Sequence, residues 1–390
     1  MAWYLHASSR RSVKMRRPLS IRWFLVAPLV CGVALSGCGW TRLVVPTPTP
    51  TPAPTSSQNW NQQTLDSNGD VGSDTSLAMD SNGNFHVSYF DITNGDLRYA
   101  TNTRGNVQME TVDRTGVVGQ FTSIALDAAG NAHISYYDAS ARTVKYATNA
   151  SGSWVTQAVD STGHIGSYTS IAIDNTNTIH LTYHDDTLGI LKYATGTSGH
   201  WQITIVDIGL NHMGDYTSIA LDSLNQPHLS YQDHTLQYLK YATNVSGRWV
   251  VEVVDNTADV GQDSSITVDS QRHAHISYHD ATNGDLRYIT NRSGAWRVEV
   301  IDSTGNTGLD TSIALDRSDN VHISYHDKTD GNLRYATRAG NGSWRSETVD
   351  ANGDTGRDTS IAVDSEGRVH ISYHDRTNGN LRYAEQRAIQ

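Results

Sequence analysis

A five-residue pattern, Ser-Ile-Ala-Leu-Asp or a close variant, occurs seven times and limits the fold of this chain more than any other feature. The copies are spaced 47 or 48 residues apart and start at Ser76, Ser123, Ser170, Ser218, Ser265, Ser312 and Ser360. Each interval holds four short segments typical of β-strands, here called a, b, c and d in chain order. Four strands in each repeat of this length are typical of a propeller blade. The sequence therefore predicts an all-β, seven-bladed β-propeller with four antiparallel strands per blade.

The two ends of the repeat region indicate a closed ring. The region begins with a lone strand d, Trp60 to Asp66, and ends after a strand c, Leu381 to Glu385. Seven complete blades result only if the first strand completes the last blade, a 3+1 closure. An open stack would instead need polar capping repeats at both ends. The ring is therefore predicted over the stack.

The link between strands b and c often contains Asn-Gly or Asp-Gly, which favours a two-residue type I′ hairpin. Such turns occur at Asn94-Gly95, Asn283-Gly284, Asp330-Gly331 and Asn378-Gly379. Centring the hairpin on these residues predicts that Asp91 lies directly opposite Arg98. The same count predicts six more opposite-charge pairs, from Asp138 with Lys145 to Asp375 with Arg382.

The segment that holds strands a and b has the order apolar strand, Asp, tight turn, Asn and a second strand ending in Asp, as in residues 313–327. In this order it resembles NHL-type and related bacterial β-propeller repeats. The likeness covers about a third of each repeat, in all seven copies. The Pro-x-Gly common in NHL repeats is replaced by Thr-Ser. The resemblance implies the fold and assigns no functional residue.

The first 58 residues have the organisation of a secretion and anchoring segment. Basic residues precede the apolar run Phe24 to Leu35, which is too short to remain as a membrane span. The following Leu35-Ser36-Gly37-Cys38 resembles the bacterial lipobox, in which the cysteine is lipidated. This predicts a signal peptide over 1–37, lipidation of Cys38, and a propeller domain over 59–390.

Residues 38–58 are predicted to be a lipidated stalk, because alternating prolines keep a chain extended and semi-rigid. We expect a membrane partner through the lipid anchor and a location at the cell surface. Gly39, rather than Asp, follows the cysteine, and the sorting rule of lipoproteins then implies the outer membrane in a two-membrane bacterium. The long basic region leaves the start codon open between Met1 and Met15.

The net charge limits which partners are expected, and the cysteine content limits which disulfides are possible. The net charge is −11, but six of the 29 basic residues and none of the 40 acidic ones lie in residues 1–37, so the rest of the chain carries −17. A body this acidic repels phosphate backbones, and a nucleic-acid partner is not expected. The only cysteines, Cys31 and Cys38, precede the repeats, so no disulfide framework is predicted.

Positions that are identical in all repeats are interpreted as scaffold. Strand b always opens with a histidine and has a tyrosine three residues later, from His86 and Tyr89 to His370 and Tyr373. Because each blade packs on both faces, we expect these groups to be buried and hydrogen-bonded. Seven histidines spread round a ring could not converge on one metal ion.

Positions that vary between repeats are the candidate ligand site. One position, just before the Thr-Ser that opens the predicted strand a, should stand beside the central channel, and its residues are Asp74, Phe121, Tyr168, Tyr216, Asp263, Asp310 and Asp358. On a closed ring, four carboxylates in blades 5, 6, 7 and 1 face three aromatic rings in blades 2, 3 and 4. A second variable position near the same rim is occupied in order by Phe90, Tyr137, His184, Gln232, His279, His326 and His374. Asp and His therefore occur together in blades 5, 6 and 7, and the candidate site includes His279, His326 and His374.

This mixture suits a sugar, whose hydroxyl groups need acceptors and whose C–H face stacks on aromatic rings, or a cationic ligand. The loops Asp66-x-Asn68-x-Asp70 and Asp350-x-Asn352-x-Asp354 leave Ca²⁺ open as a cofactor, and no other cofactor is predicted. Each of these residues is also an ordinary turn former.

Three functions remain open from the sequence. The leading hypothesis is a non-catalytic binding module for a glycan or other ligand at the channel mouth, with no catalytic residue assigned. A variant of it is a multivalent lectin that uses the recurring tryptophans Trp154, Trp201, Trp249, Trp296 and Trp344. The alternatives are a polysaccharide-active lyase or glycosidase that uses rim Asp, His and Tyr, and a scaffold that docks another protein.

Overall fold

The computed structural model describes residues 59–209 and 212–387. The expectations for residues 1–58, namely the signal peptide, Cys38 and the stalk, lie outside the described residues. In the described part no helix is long and apolar enough to cross a membrane.

Twenty-eight strands, numbered β1 to β28 in chain order, form seven four-stranded antiparallel sheets. The a strands are β2 Val71–Met79, β6 Val118–Leu126, β10 Ile165–Ile173, β14 Met213–Leu221, β18 Val260–Val268, β22 Thr307–Leu315 and β26 Thr355–Val363. The b strands are β3 Phe85–Asp91, β7 Ala132–Asp138, β11 Ile179–Asp185, β15 Pro227–Asp233, β19 Ala274–Asp280, β23 Val321–Asp327 and β27 Val369–Asp375.

The two outer strands of each blade follow in the chain. The c strands are β4 Asp96–Thr101, β8 Thr143–Thr148, β12 Ile190–Thr197, β16 Tyr238–Thr243, β20 Asp285–Thr290, β24 Asn332–Arg338 and β28 Asn380–Gln386. The d strands are β5 Gln108–Asp113, β9 Val155–Asp160, β13 His200–Asp207, β17 Val250–Asp255, β21 Arg297–Asp302, β25 Arg345–Asp350 and β1 Trp60–Asp66.

The ring closes as predicted. The seventh sheet has the order β1-β28-β27-β26, so the first strand of the propeller completes the last blade. Trp60 lies opposite Gln386 in this sheet, and its indole packs edge-on against Tyr335 of blade 6 with ring centroids 5.2 Å apart. The seven-bladed, 3+1 architecture is confirmed.

The repeated Ser-Ile pair of strand a joins each blade to the next. The hydroxyl oxygen of Ser76 accepts the backbone N–H of Ile124 in the following blade at 3.1 Å. The same bond recurs at every junction, including Ser360 to Leu77 across the closure. The serine of the pattern therefore connects each blade to the next through a hydrogen bond.

A second repeated network lies farther from the channel. Tyr325 on strand b of blade 6 donates to the carboxylate of Asp302, the last residue of the preceding d strand, at 2.7 Å. Arg334 on strand c lies 3.1 Å from the same carboxylate and 3.5 Å from Asp327. Every blade repeats the Tyr–Asp bond, which fixes strand b against the neighbouring blade.

The predicted hairpin register was wrong by two residues. Asp91 lies opposite Asp96, and Arg98 lies opposite Tyr89. The turn is a four-residue loop, 92–95, in which Gly95 has a φ of 74° and its N–H donates to the Asp91 carbonyl at 2.8 Å. The ion pair still forms, along the diagonal, with 3.4 Å between Arg98 and Asp91.

The repeated histidines of the b strands are buried, as predicted, although each is the second residue of its strand and not the first. His86 Nδ1 lies 2.6 Å from the hydroxyl of Tyr99, and its Nε2 lies 3.8 Å from Asp80 in the a–b turn. The His–Tyr bond recurs in all seven blades. These histidines are scaffold.

Candidate functional site: a two-sided ring in the central channel

A β-bulge in every a strand creates the candidate site. In blade 1 the pairing of strands a and b shifts between Ser73 and Ser76, and Asp74 between them has a φ of 50°. The equivalent residues of the other six blades have φ values from 49° to 54°. The sequence placed these residues before strand a, whereas the strands begin three residues earlier and the residues lie inside them. Bulges of this kind re-aim a side chain.

The residue after the bulge is anchored, and this fixes the direction of the bulged side chain. The hydroxyl of Thr75 donates to Ser372 on strand b of blade 7 at 3.0 Å. The equivalent hydroxyls of Thr122, Thr311 and Thr359 bond in the same way to the preceding blade. One neighbour therefore points into the blade interface while the bulged residue points into the channel.

The seven bulged residues line one cavity of about 200 Å³, together with the Thr or Ser that follows each of them. All seven candidate residues from strand a are thus brought together: Asp74, Phe121, Tyr168, Tyr216, Asp263, Asp310 and Asp358. Ligand binding by this set stays a prediction.

The aromatic side of the ring is a run of three contacting side chains whose ring planes are inclined to one another by 45° and 48°. The rings of Phe121 and Tyr168 have centroids 4.8 Å apart, and those of Tyr168 and Tyr216 are 4.7 Å apart. Burial raises the pKa of Tyr168 to about 12, so its hydroxyl stays protonated at neutral pH. This side therefore lines the cavity with three aromatic side chains, two of which carry a hydroxyl group.

The carboxylate side is held by backbone N–H groups. The N–H of Asp310 donates to the carboxylate of Asp263 in the preceding blade at 3.0 Å. The backbone N–H groups of Asp358 and Phe121 act in the same sense on Asp310 and Asp74, because each lowers the pKa of that carboxyl group. Asp358 accepts the Ser73 hydroxyl at 3.2 Å. The ring therefore links these carboxylates through the main chain.

Crowding of these carboxyl groups favours their protonated forms. Burial, with the nearby charge of Asp358, raises the pKa of Asp74 from 3.8 to about 7. Burial raises the pKa of Asp263 to about 6, although the Asp310 N–H opposes it. Burial and the charges of Asp263 and Asp358 raise the pKa of Asp310 well above its usual range. At neutral pH this side offers both hydrogen-bond donors and acceptors.

The three predicted histidines lie beside the ring and do not line the cavity. His326 Nε2 lies 3.0 Å from Asp354, and His374 Nε2 lies 3.1 Å from Asp70, both in the d–a loop of the next blade. His279 Nδ1 lies 2.9 Å from the Thr307 carbonyl. All three are buried, and only His374 approaches a ring carboxylate, with 4.0 Å between its Nδ1 and Asp358.

The recurring tryptophans fill the wedges between blades. Trp154 packs edge-on against Tyr99 of blade 1, with centroids 5.0 Å apart, and its Nε1 donates to Glu110 at 2.7 Å. The other four pack on the equivalent tyrosine of the preceding blade. Each of these indoles is thus partly buried against the neighbouring blade.

In both Asp-x-Asn-x-Asp loops, the first aspartate accepts hydrogen bonds from other groups of the protein. Asp66 accepts the Asn68 N–H and the Tyr89 hydroxyl, and Asp350 makes the equivalent bonds in its own loop. Within residues 59–209 and 212–387, no group of three or more residues drawn from His, Cys, Asp and Glu is arranged to hold a metal ion.

The sequence reasoning missed a cluster at the junction of blades 3 and 4, on the same rim. His184 and His234 lie 3.0 Å and 3.4 Å from Asp215, the residue that precedes Tyr216 of the ring, and the ring centroid of His212 lies 6.1 Å from each of theirs. Two signals could have identified it. The d–a loop before β14 is one residue longer than most others, and His212 and His234 occupy positions that hold no histidine in most blades.

No family model matches the chain, and no curated protein matches it either. Solved structures match its fold. YCF48 of Cyanidioschyzon merolae is 13% identical with a TM-score of 0.53, covering 83% of this chain and 98% of its own. The Aleuria aurantia lectin, solved with a fucose-containing disaccharide, is 12% identical with a TM-score of 0.51, covering 72% and 96%. The polysaccharide lyase Uly1 is 9% identical with a TM-score of 0.51, covering 82% and 89%. At these identities the likeness concerns the fold.

Proposed function

We propose that this propeller is a non-catalytic binding module that takes one carbohydrate unit in its central channel. The observation that carries the proposal is the two-sided ring: three contiguous aromatic side chains face four carboxyl groups across a cavity of about 200 Å³. A sugar has a C–H face that stacks on aromatic rings and hydroxyl groups that bond carboxyl groups. The fold itself admits glycan binding, since the Aleuria lectin shares it.

The strained backbone at the three aromatic residues supports the view that they serve a ligand and not the stability of the fold. Phe121, Tyr168 and Tyr216 have φ values of 53° to 54°, a left-handed conformation that costs a residue with a Cβ about 1–2 kcal/mol. Glycine or asparagine would tolerate this backbone better. Three adjacent aromatic residues at strained positions are what a stacking platform for a ligand requires.

The test is a glycan array followed by calorimetric titration of residues 59–390, which contain all strands of the closed ring. We expect one ligand per chain and a loss of at least tenfold in affinity, about 1.4 kcal/mol, for Tyr168→Asn and for Asp310→Asn. Trp344→Ala serves as the matched control, since its indole packs between blades, and its affinity should be unchanged. A stoichiometry of five to seven would assign binding to the inter-blade tryptophans and contradict the channel site.

A polysaccharide-active enzyme is the second candidate, favoured by the raised pKa values of Asp74 and Asp263. A carboxyl group with a pKa of about 6 to 7 beside an ionised one is the arrangement of a general acid–base pair. Its assay is product release from a panel of polysaccharides. Turnover that disappears in Asp74→Asn and in Asp310→Asn would replace the binding proposal, and a panel without turnover would retire this candidate.

We also propose that the propeller is carried at the cell surface on a lipid anchor at Cys38. The support is the lipobox-like Leu35-Ser36-Gly37-Cys38 and the proline-rich stretch that follows it. Two or three acyl chains anchor a protein stably where one does not. Cys38→Ala in the full chain should abolish incorporation of labelled fatty acid and release the protein from the membrane fraction. Label that persists in the variant would overturn the anchor, and Cys31→Ala is the control.

A further inference from the structure

The four carboxyl groups of the ring line the cavity without a cation beside them. They belong to four consecutive blades of the closed ring, at Asp74, Asp263, Asp310 and Asp358. No residue that lines this cavity in the described part of the chain is a Lys, an Arg or a His. Arg357 is the chain neighbour of Asp358, but its Nε lies 3.3 Å from Asp354 in the d–a loop. Buried carboxylates are usually paired with a cation, and the lining of this cavity supplies none.

The fold itself does not require a charge at these four positions. Their φ values are 49° to 52°, in the left-handed region, which asparagine adopts as readily as aspartate. Asp263 accepts the N–H of Asp310 at 3.0 Å, and the side-chain oxygen of an asparagine accepts such a bond as well. Asparagine would thus satisfy the backbone without crowding four acidic groups into one cavity. The repeated aspartate is explained better by a ligand than by the scaffold.

The charges that face these carboxyl groups leave their protonated forms favoured. Burial raises the pKa of three of the ring aspartates, and the charge of the fourth, Asp358, raises it further. The charge of Arg357 opposes this rise at Asp263 and Asp310 but does not cancel it. His374 is buried, and its Nδ1 lies 4.0 Å from Asp358. A cation placed inside the ring would lower these pKa values and bring the carboxyl groups to their charged forms.

The aromatic side of the ring suits a ligand that carries such a cation. Burial and the charge of Asp263 raise the pKa of Tyr216, so its hydroxyl group stays neutral at physiological pH. Phe121 and Tyr168 supply the other two aromatic rings. Aromatic faces pack against the C–H face of a sugar, and they also attract an ammonium group. A ligand that spans the cavity therefore meets aromatic rings on one side and carboxyl groups that lack a cation on the other.

We propose that the carbohydrate bound in the channel is an amino sugar with a free amino group. Its ammonium group lies among the four carboxyl groups, and its ring packs against the aromatic side chains. This inference rests on the proposed carbohydrate site and narrows the ligand of that site. N-acetylated sugars are disfavoured because acetylation removes the positive charge, and uronic acids are excluded because the ring carboxylates would repel theirs.

The test is calorimetric titration of residues 59–390 at pH 7 with glucosamine, galactosamine and mannosamine, each compared with its N-acetylated form. We expect one of these amines to bind at least about tenfold more tightly than its N-acetylated form, because a bond between an ammonium and a carboxylate is about twice as strong as a neutral one. Asp310→Asn and Asp358→Asn should each lower this preference several-fold, since each removes one carboxyl group from the ring. The matched control is Asp330→Asn in an exposed b–c loop on the same rim, which should keep the preference of the parent.

The same titrations at pH 5 measure the protons that the ammonium group displaces. Lowering the pH from 7 to 5 should weaken binding of the amine about tenfold, because the ring carboxyl groups then hold more protons. Binding of the N-acetylated form should change less, since it displaces none.

Equal affinity for an amine and its N-acetylated form overturns the inference and leaves the carbohydrate site standing. So does binding of a neutral glycan on the array without binding of any amine, whereas a chain that binds no sugar in either experiment contradicts both proposals. Cyclohexylamine carries an ammonium group on a six-membered ring without hydroxyl groups, and equal binding of it overturns the inference, because the sugar then contributes nothing. A preference for the amine that survives in both Asp310→Asn and Asp358→Asn also overturns it, because that result shows capture by the acidic surface.

Discussion

The sevenfold repeat has different consequences at the blade interfaces and in the central channel. Between the blades, each position holds the same residue type in nearly every copy: Tyr325 donates to Asp302 as Tyr89 donates to Asp66. In the channel, the backbone is as uniform, with φ near 50° in every blade, but the side chain changes from carboxyl to aromatic. At the blade interfaces, identical side chains make the same contact in every blade. In the channel, a uniform backbone carries different side chains, and these together form one asymmetric cavity.

Asp302 at the end of blade 5 and Asp310 of blade 6 give the largest expected contrast between these regions. Asp302→Ala removes the carboxylate that holds Tyr325 and Arg334, and we expect a loss of about 3 kcal/mol in the free energy of unfolding, because a buried charge loses its partner. Asp310→Asn in the channel should be neutral or stabilising at pH 8, since the variant lacks a crowded charge. Urea unfolding measures the free energy of unfolding of both variants. Equal losses would contradict the distinction between the blade interface and the channel.

The pH dependence of stability tests the carboxylate side directly. Folding raises the pKa of Asp74 from 3.8 to about 7, so the folded chain keeps a proton that the unfolded chain has released. Stability should therefore fall as pH rises from about 4 to about 7 and change little from this group above that range. Asp74→Asn should be more stable than the parent at pH 8, and the gain should vanish near pH 4.

Urea unfolding between pH 4 and pH 8 measures this difference. The control is Asp330→Asn in an exposed b–c loop, which should change the pH profile much less than Asp74→Asn does, since its charge acts only on the pKa of Asp327. A gain for Asp74→Asn that is constant across the range would show that its carboxyl group is not protonated by folding.

The smallest expected effect concerns the aromatic side. Tyr168→Asn loses two ring contacts but relieves a left-handed tyrosine, and the net change in unfolding free energy should be within about 1 kcal/mol. Tyr183→Asn, on strand b of the same blade and fully buried, should cost about 3 kcal/mol or more. A large loss for Tyr168→Asn in thermal or urea unfolding would make these aromatic side chains part of the core.

Much of the fold was determined by the sequence, because a repeat makes local signals visible seven times over. The spacing of the Ser-Ile-Ala-Leu-Asp pattern gave seven blades, and the lone strand at Trp60 gave the 3+1 closure. The buried histidines followed from their identity in every copy. The set Asp74 to Asp358 was found because its residues vary where their surroundings do not.

Only the tertiary structure decided how side chains meet. It set the b–c register, where a four-residue loop replaced the predicted hairpin, because the path of a turn depends on the strands it joins. It placed a bulge inside strand a, and it turned His279, His326 and His374 away from the cavity toward the next blade. The cluster around Asp215 joins residues from two blades and three loops or strands, and adjacency of that kind comes from packing, which a linear pattern does not encode.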